Sequence, residues 1–176
     1  MQTLELKKGI HWVGVLNAPL RVFDVVFETR FGTTYNSYLI LAEKPTLIDC
    51  VHEKFTTEYL DKLRSLIDLK DICYIVVNHT EMDHSGALGH LLKEATNAQI
   101  LSTRTASLFL KNILHRDFKE KIVEDGEVVS LGNKKLKFIH APYWHWPDTM
   151  FTYLEEDRIL FPCDGFATHF CDERLF

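Results

Sequence analysis

The chain has 176 residues, room for one domain of good size. Its 46% hydrophobic and 26% charged residues describe a folded globular protein rather than a disordered one. With 20 Lys and Arg against 25 Asp and Glu, the net charge of −5 argues against nucleic acid or an anionic membrane surface as partner.

No apolar run reaches the length needed to cross a bilayer, and the stretch from Met1 to Gly9 has no secretory signal. The cysteines, Cys50, Cys73, Cys163 and Cys171, form no C-x-x-C pair and no disulfide framework. Reduced thiols and a cytoplasmic location are the expectation.

Strands are expected first, at Trp12 to Leu16, Val22 to Phe27, Tyr38 to Leu41 and Thr46 to Ile48, with turns at Asn17-Ala18-Pro19 and Phe31-Gly32. Phe55, Tyr59, Leu63, Leu66 and Ile67 recur at helical spacing. Ile72 to Val77 is a continuous apolar run, the pattern of a strand buried on both faces. A second helix is expected around Leu88 to Ala95, a strand at Gln99 to Leu101 and a third helix over Ala106 to Leu114. Strands return at Glu127 to Ser130, Lys135 to Ile139, Thr149 to Leu154 and Arg158 to Phe161. This alternation predicts an α/β class with a mixed sheet. Residues 162–176 offer no element that would cap a domain, so the chain reads as interrupted at Phe176.

The informative segment is Asn78-His79-Thr80-Glu81-Met82-Asp83-His84-Ser85-Gly86. It puts His79, Glu81, Asp83 and His84 directly after the buried strand and before a helix, where open α/β folds place their sites. Residues two apart on extended chain point the same way, so His79 and Glu81 would converge on one point. Asp83 and His84, past the bend, could face a second point, which suggests two metal ions in one cleft. The ordinary alternative is that Asp83 or Ser85 caps the helix. His145, in a turn between strands, and Asp164, just after a strand, could complete the shell. A carboxylate can bridge two cations, whereas a neutral imidazole cannot. Three carboxylates against two divalent ions leave one positive charge, which a hydroxide would cancel. A shell of imidazole and carboxylate suits iron or manganese as well as zinc.

The string H-T-E-M-D-H-S-G, followed by H-W-P-D at His145 to Asp148 and C-D-G-F at Cys163 to Phe166, resembles the metallo-β-lactamase-like part of the flavodiiron proteins. Thr34 to Ile40 and Leu47 to Asp49 match as well. The resemblance implies an αββα four-layer fold, of which residues 1–176 would supply the N-terminal αβ half plus following strands. It implies a non-haem diiron site: His79, Glu81 and His145 on one iron, Asp83 and His84 on the other, and Asp164 bridging. Hydrolases of this superfold carry a histidine where Glu81 stands.

The activity implied is reduction of O2 to water, of NO to N2O, or both. Electrons would come from a rubredoxin or flavodoxin-like donor through FMN on a domain or partner outside this chain. A histidine for the second iron, supplied in the family from further along, has no counterpart here. The resemblance further suggests that half of a four-layer fold exposes a sheet face, so self-association or a partner chain would complete it. Two other readings share the donors, a diiron O2 or NO sensor without turnover and a zinc-dependent hydrolase; an inactive fragment holding one metal or none is a third. Asp49 and Asp148 are candidates to orient ligand imidazoles, and His169 a candidate to line the pocket.

Overall fold

The computed structural model describes residues 3–172 and Arg174; Met1, Gln2 and the last residues of the segment expected to lack structure (Glu173, Leu175, Phe176) lie outside them. The elements begin with Leu4–Lys7 (β1), Ile10–Trp12 (β2), Val15–Asn17 (β3), Val22–Phe23 (β4), Phe27–Glu28 (β5), Thr33–Tyr35 (β6), Tyr38–Ile40 (β7) and Thr46–Ile48 (β8). Helix Thr56–Arg64 (α1), Tyr74–Val76 (β9), the short helix Met82–Ser85 (α2) and Leu88–Glu94 (α3) follow. Gln99–Ser102 (β10), Arg104–Leu114 (α4) and Glu120–Ile122 (β11) complete the α/β part. Val128–Ser130 (β12), Lys135–His140 (β13), Met150–Leu154 (β14) and Ile159–Phe161 (β15) come last.

Seven strands form one mixed sheet in the order β1-β2-β7-β8-β9-β10-β11, parallel from β8 to β11. β12 to β15 form an antiparallel meander. Alternation along the central strands divides the core in two. Leu47 and Ile75, paired in register, join the helix side with Tyr59, Leu63, Leu88 and Leu91. Their neighbours Ile48 and Val76 face the other way, against Leu136, Phe138, Met150 and Leu154 of the second sheet. Burial of each such side chain stabilises the fold by about 1.5–3 kcal/mol.

This arrangement corrects the expectation of an open sheet face. The inner face of the seven-stranded sheet is covered by β12 to β15 of the same chain, because Leu136, Phe138 and Phe161 alternate inward. The apolar residues left exposed on this sheet, Val128, Ile139 and Leu160, belong to its outer face. Three local readings change as well. Trp12 to Leu16 is divided between β2, which pairs with β1 and β7, and β3, which pairs with β6. Val22 to Phe27 is a hairpin, β4 and β5 with a turn between, rather than one strand. β1, β6 and β11, absent from the sequence-based assignment, are short and carry polar or charged residues. Cys163–Phe166 forms a 3-10 turn. Among the described residues no helix is long and apolar enough to cross a membrane.

Asn78 fastens the two sheets where the site begins. Its backbone N–H donates to Asp49 Oδ1 (2.7 Å), its side-chain amide to Phe161 O (3.3 Å), and Thr152 Oγ1 donates to its Oδ1 (2.6 Å). Loops leaving β8, β9 and β15, together with the loop entering β14, thereby meet at one end of the sandwich.

Candidate metal centre

The segment after β9 stays irregular through Glu81 and then turns into α2. Glu81 stands at the N-cap of α2 without a side-chain capping bond. Ser85 Oγ instead donates back to Thr80 O (2.7 Å) and Glu81 O (3.1 Å). Asp83 and Ser85 lie inside α2, whose N-cap is Glu81, so the capping alternative fails for both. Gly86 lets α2 dock: a Cβ there would stand 2.6 Å from the backbone nitrogen of Glu53.

The fold brings all six predicted side chains together, in two groups. His79, Glu81, His145 and Asp164 form one, and Asp83, His84 and Asp164 the other, with donor atoms in each group within 4.8 Å of one another. In the first, His79 Nε2 lies 3.1 Å from Glu81 Oε2, and His145 Nε2 lies 3.6 Å from Glu81 Oε2 and 3.5 Å from Asp164 Oδ2. In the second, His84 Nε2 lies 3.1 Å from Asp164 Oδ2 and 3.5 Å from Asp83 Oδ2. Donors held about 2.1 Å from one cation stand about 3.0 Å apart at right angles and about 3.4 Å apart at the tetrahedral angle. The observed spacings, 3.1 to 3.6 Å, fall within that range or up to 0.2 Å above it. Asp83 Oδ1 is buried without a hydrogen-bond partner, as is His84 Nδ1, so the site contains polar atoms that the protein alone does not satisfy. The donors are imidazole nitrogen and carboxylate oxygen, with no thiolate among them. This set fits a pair of iron or manganese ions.

Carboxylates behind the donors hold them. Asp148, buried, lies 3.1 Å from His79 Nδ1 through Oδ1, while Oδ2 accepts from Thr80 N (2.8 Å) and Thr80 Oγ1 (2.6 Å). Asp49 Oδ2 faces His84 Nδ1 at 3.6 Å. Asp49 has a left-handed backbone (φ 55°), which aspartate tolerates better than most residues, and its Oδ1 is occupied by Asn78.

Without a metal the cluster holds protons. Burial opposes a charge on His79, but hydrogen bonds to Asp148 and Glu81 outweigh it and raise the imidazole to about 9. Burial likewise opposes charge on His84, and the charge of Asp83, the bond to Asp164 and the facing Asp49 carboxylate drive it well above the ordinary value. The bond from His79 brings Glu81 to about 2. Burial raises Asp164, yet the His84 bond and the surrounding histidines bring it to about 2. Burial, with the charges of Asp164 and Glu81, outweighs the opposing charge of His84 and raises Asp83.

Glu81, Asp83, His84, His145 and Asp164 line a cavity of about 600 Å3 walled by Phe23, Tyr38, Trp146 and Phe161, and His79 is fully buried behind them. His169 lines it too, with its ring 4.7 Å from Phe23 and Nδ1 3.1 Å from Thr33 Oγ1. Cys163 lies beside Asp164, but its Sγ is directed to Met150 O (3.7 Å), and burial pushes the thiol up to about 12. One carboxylate escaped the sequence reading. Asp24, on the β4–β5 turn, reaches Glu81; their hydrogen bond, then burial, then the charges of Glu81 and Asp83 raise it to about 6. Its distance along the chain from residue 79 and its place inside an apparent strand concealed it.

Residues 33–176 match the family model described as "ODP family beta lactamase". The chain is 44% identical over 178 residues to the flavo-diiron protein FprA2 of Clostridium acetobutylicum, covering 100% of this chain and 44% of that protein. It is 44% identical over 174 residues to the anaerobic nitric oxide reductase flavorubredoxin of Salmonella arizonae, covering 97% of this chain and 36% of that one. Among solved structures, the flavodiiron protein of Giardia intestinalis superposes with a TM-score of 0.94 at 38% identity, over 99% of this chain and 42% of the other. The rubredoxin oxygen:oxidoreductase of Desulfovibrio gigas gives 0.94 at 32% identity, over 98% and 43%. The chain thus spans less than half the length of each of these relatives. With its mixed α/β architecture and a family match over most of its length, the chain belongs to the flavodiiron protein family and has the metallo-β-lactamase-like fold of its N-terminal part.

Proposed function

We propose that residues 1–176 form the metal-binding part of a non-haem diiron reductase acting on O2, NO or both. The observation that carries this reading is the pair of donor groups sharing Asp164, built from imidazole and carboxylate alone. His79, Glu81, His145 and Asp164 would hold one iron, and Asp83, His84 and Asp164 the other. The pair of irons supplies redox equivalents and open coordination positions for a diatomic substrate.

The chain's own residues do the rest. Asp148 fixes the ring of His79 through Nδ1 and leaves Nε2 directed at Glu81. On the other side the Asp49 carboxylate faces His84 Nδ1 at 3.6 Å. The aromatic walls limit bulk water around the donors and admit small apolar molecules. Reduction of O2 to water takes four electrons and four protons, and coupling of two NO to N2O and water takes two of each. These electrons would come from a rubredoxin or flavodoxin-like donor through FMN carried outside residues 1–176.

The test is anaerobic loading of the chain with Fe(II), elemental analysis and Mössbauer spectroscopy. Two magnetically coupled irons per chain, lost in Glu81→Ala, are expected. Uptake of zinc alone with hydrolysis of thioesters or lactams, or unchanged iron uptake in Glu81→Ala, would overturn the reading.

A further inference from the structure

We propose that Trp144 is a positioning residue: it ties the loop that carries His145 to the turn that carries Asp164, so that both donors meet one cation. This rests on the metal reading above and adds to it a side chain that is not itself a donor.

His145 is the donor with least behind it. His79 has Asp148 at its Nδ1, and His84 faces Asp49. Among the described residues His145 Nδ1 has no hydrogen-bond partner, and its side chain, 36% exposed, is the most open of the six. Its contacts with Glu81 and Asp164 run through Nε2, the atom that would bind the cation. The rings of His79 and Trp146 border it at 5.1 and 6.3 Å. Its distance from Asp164, on another loop, depends on how the two loops are joined.

The His145 loop runs from β13 to β14, and its own bonds fix its shape. Trp144 N–H donates to Ala141 O (3.0 Å), Tyr143 N–H to Trp146 O (2.9 Å) and Trp146 N–H to Thr149 Oγ1 (2.8 Å). Tyr143 has a left-handed backbone, φ 63°. These bonds stay within residues 141–149 and do not decide where the loop stands against Asp164. Downstream of His145 the loop is held to the His79 segment: the Trp146 ring lies 5.5 Å from that of His79, and Asp148 bonds to His79 and Thr80. Upstream it is held by Trp144, whose Nε1–H donates to Gly165 O at 2.8 Å. Trp144 precedes one donor and Gly165 follows another, so this bond joins the neighbours of His145 and Asp164.

Packing sets the angle of the bond. The Trp144 ring stands 6.3 Å from Phe151, edge-on, and 5.9 Å from Phe166, and those two rings stand 6.0 Å apart. Aromatic pairs favour such edge-on and tilted contacts. Gly165 permits the approach: a Cβ there would stand 2.6 Å from the Phe151 ring and 3.4 Å from the indole. Phe151 is a buried residue of β14, so the indole and the Asp164 turn are seated against the same strand. Trp144 itself is 61% exposed, so the core does not depend on it. A loop held in place before the cation arrives costs less to order on binding.

The experiment uses the 176-residue chain, Trp144→Phe, Trp144→Ala, His145→Ala and the variant carrying both alanines, with Co(II) and Fe(II) as probes. Affinity is read by chelator competition, coordination by the Co(II) visible spectrum and folding by melting of the metal-free proteins. Phenylalanine keeps the ring contacts and loses the N–H, so a loss of about threefold is expected for Trp144→Phe and of about tenfold for Trp144→Ala, with an altered Co(II) band. In a chain already lacking the His145 imidazole, Trp144→Ala should cost less than about twofold, because a residue acting through His145 has nothing left to position. The metal-free variants should melt close to the parent. A Trp144→Ala chain that binds both cations as the parent does would overturn the proposal, as would an equal loss with and without His145. NMR relaxation of the His145 ring in the metal-free chain reads the tie by itself: Trp144→Ala should loosen the ring, and an unchanged ring would refute the tie. A parent chain that takes up neither cation would sink the metal reading, while the ring relaxation still decides whether Trp144 holds the loop.

Discussion

Replacing Asp148 tests the link between the fold and the donor cluster. The carboxylate is buried and receives three hydrogen bonds, from His79 Nδ1, Thr80 N and Thr80 Oγ1. Asp148→Ala removes all three and strands the Thr80 N–H, whose residue is 6% exposed. At about 1 kcal/mol per neutral bond and about 2 for the charged one, the loss is about 4 kcal/mol. In a domain of this size that lowers the melting temperature of the metal-free chain by about 8–16 °C. Asp148→Asn keeps one acceptor oxygen but loses the charge, and about half that effect is expected.

The pH dependence carries a sign. His79 is raised from 6.5 to about 9, so its share of the stability is present in full below 6.5 and fades as pH rises through about 9. Asp148 is lowered from 3.8, because the bonds from His79 and Thr80 outweigh burial. Its share is therefore present above 3.8 and lost on acidification. The parent and Asp148→Ala should differ most between these limits, and in alkali the gap should narrow to what the two Thr80 bonds contribute. Calorimetry across pH, with NMR titration of His79, measures both. Equal melting temperatures at pH 6, or a His79 titration unmoved by the substitution, would refute the account.

Two further outcomes are expected. Iron uptake should release protons and tighten as pH rises from 6 to 8, because His79 and His84 are held protonated in the metal-free site; isothermal titration in buffers of different ionisation enthalpy counts the protons, and a flat profile would contradict the assignment. Phe138→Ala should cost about 3–5 kcal/mol by emptying the space between the sheets; a denaturant midpoint within error of the parent would show that the second sheet is not packed as described.

Much of the fold was legible because it rests on local pattern. The apolar run ending at Val77 is a strand buried on both faces, since Ile75 and Val76 enter different cores. Helices α1 and α4 follow the periodic apolar positions. The strands that escaped notice, such as β1 and β11, are short edge strands rich in Glu and Lys. Their pairing depends on a neighbour rather than on composition. Val22 to Phe27 misleads because its residue types favour a strand, whereas backbone φ at Asp24 and Val25 makes it turn.

The sequence by itself determined the donor chemistry: which imidazoles and carboxylates exist, and that His79, Glu81, Asp83 and His84 leave one strand end together. Spacing of a few residues is a local property, and the geometry of a single loop follows from it. That Asp164 stands between His84 and His145, that Asp148 backs His79, and that Asp24 lines one cavity with Glu81 were decided only by the tertiary structure. Those contacts join segments tens of residues apart, and their distances are set by how two sheets and a hairpin pack.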